Sequence, residues 1–172
     1  MSCILTNGIP LGCIDSTGGI KNVYIAKYNT TGTTFTEDAT EVITGVTSSE
    51  TWYEFKFRNQ TSNLAEEGGH SVENGTNFWT QTVTMIFHKL ETSKRNSIYL
   101  LAKTDTQMVV QTQNDDYWVV GKVNGTNLLT SASATGQAFG DLNGYTIGMV
   151  GTEPKMAQEI SAAAFATLTT SS

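Results

Sequence analysis

The feature that most constrains the fold is a short segment, residues 52–58, in which aromatic and charged side chains alternate. Every second position is aromatic and the positions between are charged: Tyr53, Phe55 and Phe57 against Glu54, Lys56 and Arg58. Successive side chains of a β-strand point to opposite faces of its sheet. The segment therefore predicts a strand with one apolar face, which enters the core, and one charged face.

A second segment, residues 77–88, shows the same period over a greater length. Its two faces are Trp79, Val83, Met85 and Phe87 on one side, and Thr80, Thr82 and Thr84 on the other. Two long strands of this kind favour pairing as a β-hairpin over residues 52–88. Residues 59–76 then form a connecting loop that is much longer than a tight turn requires.

This loop is polar, glycine-containing and acidic, and we expect it to contact a neighbouring subunit. Its candidate contact residues are Asn63, Leu64, Glu66, Glu67, His70, Val72 and Glu73. The carboxylates and the imidazole also provide enough ligand atoms for a metal ion, but a flexible loop does not hold ligands in one geometry. We therefore expect no metal and no other cofactor.

One amphipathic helix is predicted over residues 91–103, with Ile98 and Leu101 at helical spacing and Thr92 as its N-cap. Further strands are predicted at residues 21–28, 41–46, 107–113, 117–123, 128–132 and 145–150. The expected fold class is mainly β, a β-sandwich or partly closed β-barrel with one flanking helix. We expect residues 1–20 to form an N-terminal arm, residues 21–160 a single β domain, and residues 161–172 a loose C-terminal tail.

Charge and motif content argue against tight nucleic-acid binding and against catalysis. The formal net charge is −6 and the ten Lys and Arg residues are scattered along the chain, whereas phosphate binding requires clustered cations. The chain has two histidines and contains neither a GxSxG nor an HExxH motif. We predict no catalytic residues and expect that the protein is not an enzyme.

The expected compartment follows from the first residues and the cysteines. Residues 1–5 lack the basic start and the apolar run of a signal peptide, and no stretch approaches about 20 apolar residues. Cys3 and Cys13 belong to no CxxC pair and are expected to remain reduced. We expect synthesis and folding in a cytoplasm, with no membrane association.

A series of short motifs in the second half has a recognisable order. An aromatic-bearing strand runs into Gly121, and a Thr-Gly stretch begins at Thr135. An Asn-Gly-Tyr-Thr run at residues 143–146 and a Gly-Thr-Glu-Pro run at residues 151–154 follow. Together these motifs resemble phage tail tube proteins. The opening segment, residues 12–25, also resembles the start of such proteins in phages of Bacteroidetes-type hosts.

The resemblance implies a structural virion protein, a tail tube subunit whose tail-tube-like β domain covers residues 21–160. Subunits of that family assemble into rings, and stacked rings form a conduit through which double-stranded DNA passes without tight binding. The implied partners are further copies of the chain and other tail proteins, and the implied location is the virion tail. The polar strand faces would then line the lumen, at Glu54, Lys56, Arg58, Thr80, Thr82 and Thr84.

Two other functions agree with the same sequence features. A non-stacking tail or connector ring of a short-tailed phage would use the same fold. A carbohydrate-binding β-sandwich module would require Trp52, Trp79 and Trp118 to be exposed on one face. Their positions in strands of alternating polarity favour packing in the core instead.

Overall fold

The computed structural model describes residues 8–171, so residues 1–7 of the predicted arm, with Cys3, and Ser172 lie outside the described residues. Two sheets contain the strands of these residues. The larger sheet has eight strands in the spatial order β12 (Thr170–Ser171), β4 (Trp52–Lys56), β1 (Ile20–Lys27), β7 (Thr106–Thr112), β8 (Tyr117–Val120), β11 (Gln158–Ile160), β3 (Ile43–Ser48) and β2 (Thr33–Glu37). The smaller sheet has four antiparallel strands in the order β5 (Asn63–Ser71), β6 (Thr76–His88), β10 (Gly144–Glu153) and β9 (Asn127–Ala134).

The mainly β fold class is confirmed. The eight-stranded sheet curls into an open half-barrel, and the four-stranded sheet packs against it as a second layer. The predicted helix is present as α1 (Thr92–Leu101), which buries Ile98 and Leu101. Its N-cap residue is Glu91, with no side-chain capping bond, so the prediction that Thr92 caps the helix is wrong.

Two apolar cores follow from the strand alternation of the eight-stranded sheet. Val23 and Ile25 on one face of β1 pack, with Met108 and Val110 of β7, against the inner face of the four-stranded sheet. Tyr24 and Ala26 on the other face of β1 belong to a second core inside the curl, which also contains Trp52, Ile43, Val109, Val119, Ile160, Ala164 and Leu168. β1 and β7 lie between these two cores, so both of their faces are buried.

The predicted pairing of residues 52–58 with residues 77–88 is wrong. β4 pairs with β1, where Phe55 lies opposite Val23, and the long hairpin is formed by β5 and β6 instead. Residues 63–71, predicted as loop, are therefore a strand, and the connection is the short turn at residues 72–75. The prediction failed because β5 is an edge strand whose only large aliphatic residue is Leu64, so its sequence shows no apolar alternation.

Tyr53 was expected in the core, and it is 56% exposed. Phe55 and Phe57 do pack against the core between the sheets, and both rings contact the ring of Phe87 on β6. The four-stranded sheet thus covers the apolar face of β4 only toward its C-terminal end, and Tyr53 remains exposed.

The expectation of a loose tail at residues 161–172 is contradicted over its described part. Ser161 caps a short helix, α2 (Ala162–Phe165), by accepting a hydrogen bond from the Ala164 amide at 3.2 Å. Ala164 and Leu168 are buried, the Phe165 ring stacks on Tyr117 at 4.2 Å between centroids, and β12 pairs with β4. The sequence predicted a loose tail because its small residues show no clear period. In the structure, Ala164 and Leu168 of this segment are part of the core inside the half-barrel.

Candidate assembly surface

The residues predicted to line a lumen do not share one face. Thr80, Thr82 and Thr84 lie together on the outer face of β6, opposite the buried Val83 and Met85. Glu54 and Lys56 lie instead on the face of β4 that carries Trp52, on the other sheet, so the predicted single polar face is wrong. The reason is the sheet assignment: β4 pairs with β1 and not with β6.

Glu54 and Lys56 are engaged within the eight-stranded sheet. A Glu54 carboxylate oxygen pairs with Lys56 Nζ at 3.0 Å, and the other accepts a hydrogen bond from the Tyr24 hydroxyl at 3.4 Å. Burial, with the Glu54 charge second, raises the pKa of Tyr24 above its usual value. Lys56 and Arg58 line a cavity of about 370 Å³ with His88 at the end of β6.

The outer face of the four-stranded sheet is almost free of charge. The strand registers place on it Asn63, Ala65, Glu67, Gly69 and Ser71 of β5, Thr76, Phe78, Thr80, Thr82, Thr84, Ile86 and His88 of β6, Gly144, Thr146, Gly148, Val150 and Thr152 of β10, and Asn127, Thr130, Ala132 and Ala134 of β9. Among these strand residues Glu67 is the only acidic one, and there is no Lys or Arg. The face is a broad threonine-, glycine- and alanine-rich surface.

Both edges of this sheet are open within residues 8–171. β5 pairs only with β6, and β9 pairs only with β10. β9 contains no charged residue and no proline, and its register is regular from Thr130 to Ala134 after a bulge between Leu128 and Thr130. An exposed and uncharged strand edge presents unpaired N–H and C=O groups to another chain.

The predicted interface residues are found on the β5 edge and in its turn. Leu64, Glu66 and His70 point to the inner side of β5, whereas Asn63 and Glu67 point to the outer face. Val72 and Glu73 lie in the exposed turn. Segment 63–73 thus lies at an edge of the four-stranded sheet, as a strand and the start of its turn and not as a long loop.

The acidic residues of this segment are held apart. Glu66 Oε1 accepts a hydrogen bond from the Ala157 amide at 2.7 Å, and His70 Nδ1 lies 2.7 Å from Asn77 Oδ1. Adjacent carboxylates on a strand point to opposite faces. Residues 8–171 contain no group of three side chains with metal-ligand chemistry that could hold an ion.

A buried polar group links the two sheets. Gln81 of β6 is 1% exposed, its Oε1 accepts a hydrogen bond from the Gly121 amide at 3.0 Å, and its Nε2 donates to the Lys155 carbonyl at 3.4 Å. Nearby, the Glu153 carboxylate accepts the Val123 amide at 3.1 Å and the Asn124 amide at 2.8 Å. Burial raises the pKa of Glu153 above its usual range, against the opposing effect of these amides.

The tryptophans have different environments. Trp52 is fully buried in the core inside the curl. Trp79 and Trp118 are half-buried and line a cavity of about 590 Å³ together with polar residues that include Asn77 and Glu159. Two of the three tryptophans therefore border one cavity, and no face exposes all three.

Scans against family models, curated proteins and solved structures find no match to this chain. The part of the chain that the structure describes contains no helix long and apolar enough to cross a membrane.

Sequence reasoning missed the open edges as a feature of the molecule, because it treated β5 as a loop. The sequence of β9 contains no charge and no proline, the residues that usually mark an edge strand, so it carried no signal of an open edge.

Proposed function

We propose that this chain is a structural phage virion protein, a tail tube subunit whose four-stranded sheets join side by side into the wall of a ring. The observation that carries the proposal is one sheet with two open edges and an outer face almost without charge. Stacked rings would form the conduit for DNA in the virion tail, with further copies and other tail proteins as partners. The resemblance of the late motifs to tail tube proteins supports the same reading.

The two open edges are suited to each other. All pairs in the sheet are antiparallel in the order β5, β6, β10, β9, so β5 and β9 run in opposite directions. β9 of one copy placed beside β5 of the next would continue the antiparallel alternation. The lengths also agree, since β5 has 9 residues and β9 has 8. Such a contact joins two different surfaces, and a head-to-tail contact of this kind closes into a ring when its rotation allows.

The outer face suits a wall along which a polyanion slides. Lys and Arg are the side chains that retain a phosphate backbone, and the strand residues of this face include neither. Thr80, Thr82 and Thr84 are then lumen-facing, together with Thr146 and Val150 of the adjacent strand. Glu54, Lys56 and Arg58 are not part of the proposed lumen wall.

Two single-proline variants in the regular part of β9, Ser131→Pro and Ala132→Pro, test the edge contact. Alternate amides of an edge strand point to the free side, so one variant removes a β10 hydrogen bond and the other removes only an outward donor. The outward variant should keep the wild-type circular dichroism spectrum and lose ring formation in electron microscopy. Rings from both folded variants, or a wild-type protein that stays monomeric at every concentration, would contradict the proposal.

Electron microscopy also distinguishes the ring alternatives. Tubes indicate stacking, and isolated rings indicate the non-stacking tail or connector subunit. The carbohydrate-binding alternative is favoured by one observation, the cavity shared by Trp79 and Trp118. Binding of an oligosaccharide to monomers, with a change in tryptophan fluorescence that Trp118→Ala reduces, would favour that function over assembly.

A further inference from the structure

The first described residues of the chain, 8–16, project away from the domain. We call residues 8–16 the arm segment. All of its residues are exposed, and its three large aliphatic side chains, those of Ile9, Leu11 and Ile14, are fully exposed. Atoms added at the Cβ positions of Gly8 and Gly12 would meet nothing within 4 Å. Removal of aliphatic side chains from water is favourable. The composition of the arm segment therefore favours packing against an apolar surface, which its own chain does not provide here.

The base of the arm segment is fixed. The Thr17 amide donates a hydrogen bond to Asn114 Oδ1 at 2.8 Å, and the Gln113 amide donates to the Gly19 carbonyl at 3.1 Å. Lys21 Nζ pairs with Asp115 at 2.6 Å. These contacts hold residues 17–21 against the turn between β7 and β8, and the arm segment projects from that point.

An apolar groove of about 610 Å³ opens between the two sheets beside this base. Its walls include Ile20, Leu64, Val110, Trp118, Met156 and Ala157. Met156 is 50% exposed, and the one carboxylate at the rim, Glu66, is already bonded to the Ala157 amide. The groove therefore exposes part of the core between the sheets on the side of β5.

We propose that the arm segment of a second copy of this chain packs into this groove. Residues 8–14 carry no charge and contain the three unpartnered aliphatic side chains, which matches the apolar walls. From Thr17 to Ile9 the chain spans up to about 26 Å at roughly 3.3 Å per residue, which is enough to reach a neighbour. Its own groove lies directly beside its base, yet the arm segment does not enter it.

The proposal rests on self-assembly, as in the proposed function, and adds a side-chain contact to the backbone pairing proposed for β5 and β9. It also explains why a groove into the core lies at the edge where a neighbour would approach. The exposed Cys13, next to Ile14, provides a natural reporter of where the arm segment lies.

The test is a disulfide exchange between two differently tagged chains, both carrying Cys3→Ser. One chain retains Cys13, and the other carries Cys13→Ser with Met156→Cys in the groove. After mixing, assembly and mild oxidation, a mixed disulfide between the two tags is expected. The matched control partner carries Cys13→Ser with Ser93→Cys on the exposed side of α1, and it should give little mixed product. Ile14→Ser should weaken self-association about tenfold, since burial of one aliphatic side chain is worth roughly a decade in an equilibrium constant.

Each outcome supports or overturns the inference. Rings that form without the mixed disulfide, and that Ile14→Ser does not weaken, would overturn the arm contact and leave the proposed function standing. A dilute chain with both Cys13 and Met156→Cys that forms a disulfide within itself would show that the groove takes its own arm. Failure of the wild-type chain to assemble at all would overturn both proposals.

Discussion

The sharpest test of the architecture is the removal of the polar link between the two sheets. Gln81→Leu keeps a side chain of similar size in the core. It removes the hydrogen bonds of Gln81 to the Gly121 amide and to the Lys155 carbonyl. Gly121 is itself buried, so its amide has no access to bulk water once Gln81 Oε1 is gone. We expect a folded but less stable protein.

The magnitude follows from the two bonds. An unsatisfied buried amide costs about 1–3 kcal/mol, and the longer bond to the Lys155 carbonyl adds roughly 0.5 kcal/mol. The gain from placing an apolar side chain at a buried site offsets roughly 0.5 kcal/mol of this, which leaves about 1–3 kcal/mol of lost stability. For a chain of this size that loss corresponds to a fall in Tm of about 2–12 °C.

The assay is urea unfolding of the dilute protein, with the circular dichroism signal as the measure of the folded fraction. The matched control is Thr82→Val, one residue further along β6 on the outer face, which should change the free energy of unfolding by less than about 0.5 kcal/mol. If Gln81→Leu is as stable as the wild type, the Gly121 amide does not depend on Gln81 and the inter-sheet link has been assigned wrongly. If Thr82→Val is the more damaging change, the two faces of β6 have been interchanged.

Two further predictions concern Glu153 and the outer face. Because burial raises the Glu153 pKa, its stabilising effect is full below the unfolded value of about 4.3 and is lost as the pH rises through the raised pKa. Relative to Glu153→Gln, the wild-type unfolding free energy should therefore fall with rising pH in urea titrations, and a constant difference would contradict this. Wild-type rings should bind duplex DNA undetectably at physiological salt, whereas Thr82→Lys rings should bind with a salt slope of about −0.9 per phosphate contact. Ser93→Lys is the control, and submicromolar binding by the wild type would refute a passive wall.

The sequence was sufficient for elements whose alternation matches their burial along the whole length. β6 shows this most clearly, because Thr80, Thr82 and Thr84 alternate with buried residues in both the sequence pattern and the structure. The helix at residues 92–101 was predictable for the same reason, since Ile98 and Leu101 follow its period. In both elements the local pattern and the tertiary burial agree, so no partner had to be known.

Partner choice was not predictable from alternation alone. β4 has the pattern of a strand that could pair with any apolar neighbour, and it pairs with β1 because Phe55 lies opposite Val23 in the core between the sheets. β5 has a polar and glycine-containing sequence, and only its position beside β6 makes it a strand. The two errors differ in cause. The partner of β4 is set by a contact distant along the chain, whereas β5 is paired locally with β6 but has too few apolar residues for its sequence to show a strand.

A four-stranded sheet whose two edges are both open, as they are within residues 8–171, is prone to pair with other chains. Natural edge strands are usually protected by Lys, by proline or by bulges, and the regular part of β9 from Thr130 to Ala134 has neither Lys nor proline. Water can hydrogen-bond these exposed edge groups in a monomer, but the same groups remain available to pair with a strand of another chain. β5 and β9 are antiparallel to each other, so a closed ring would pair both edges of the four-stranded sheet in every copy, whereas a chain of subunits that failed to close would keep adding copies. Closed rings of fixed size, and not fibres of growing length, are therefore the specific outcome that separates functional assembly from aggregation through the same edges.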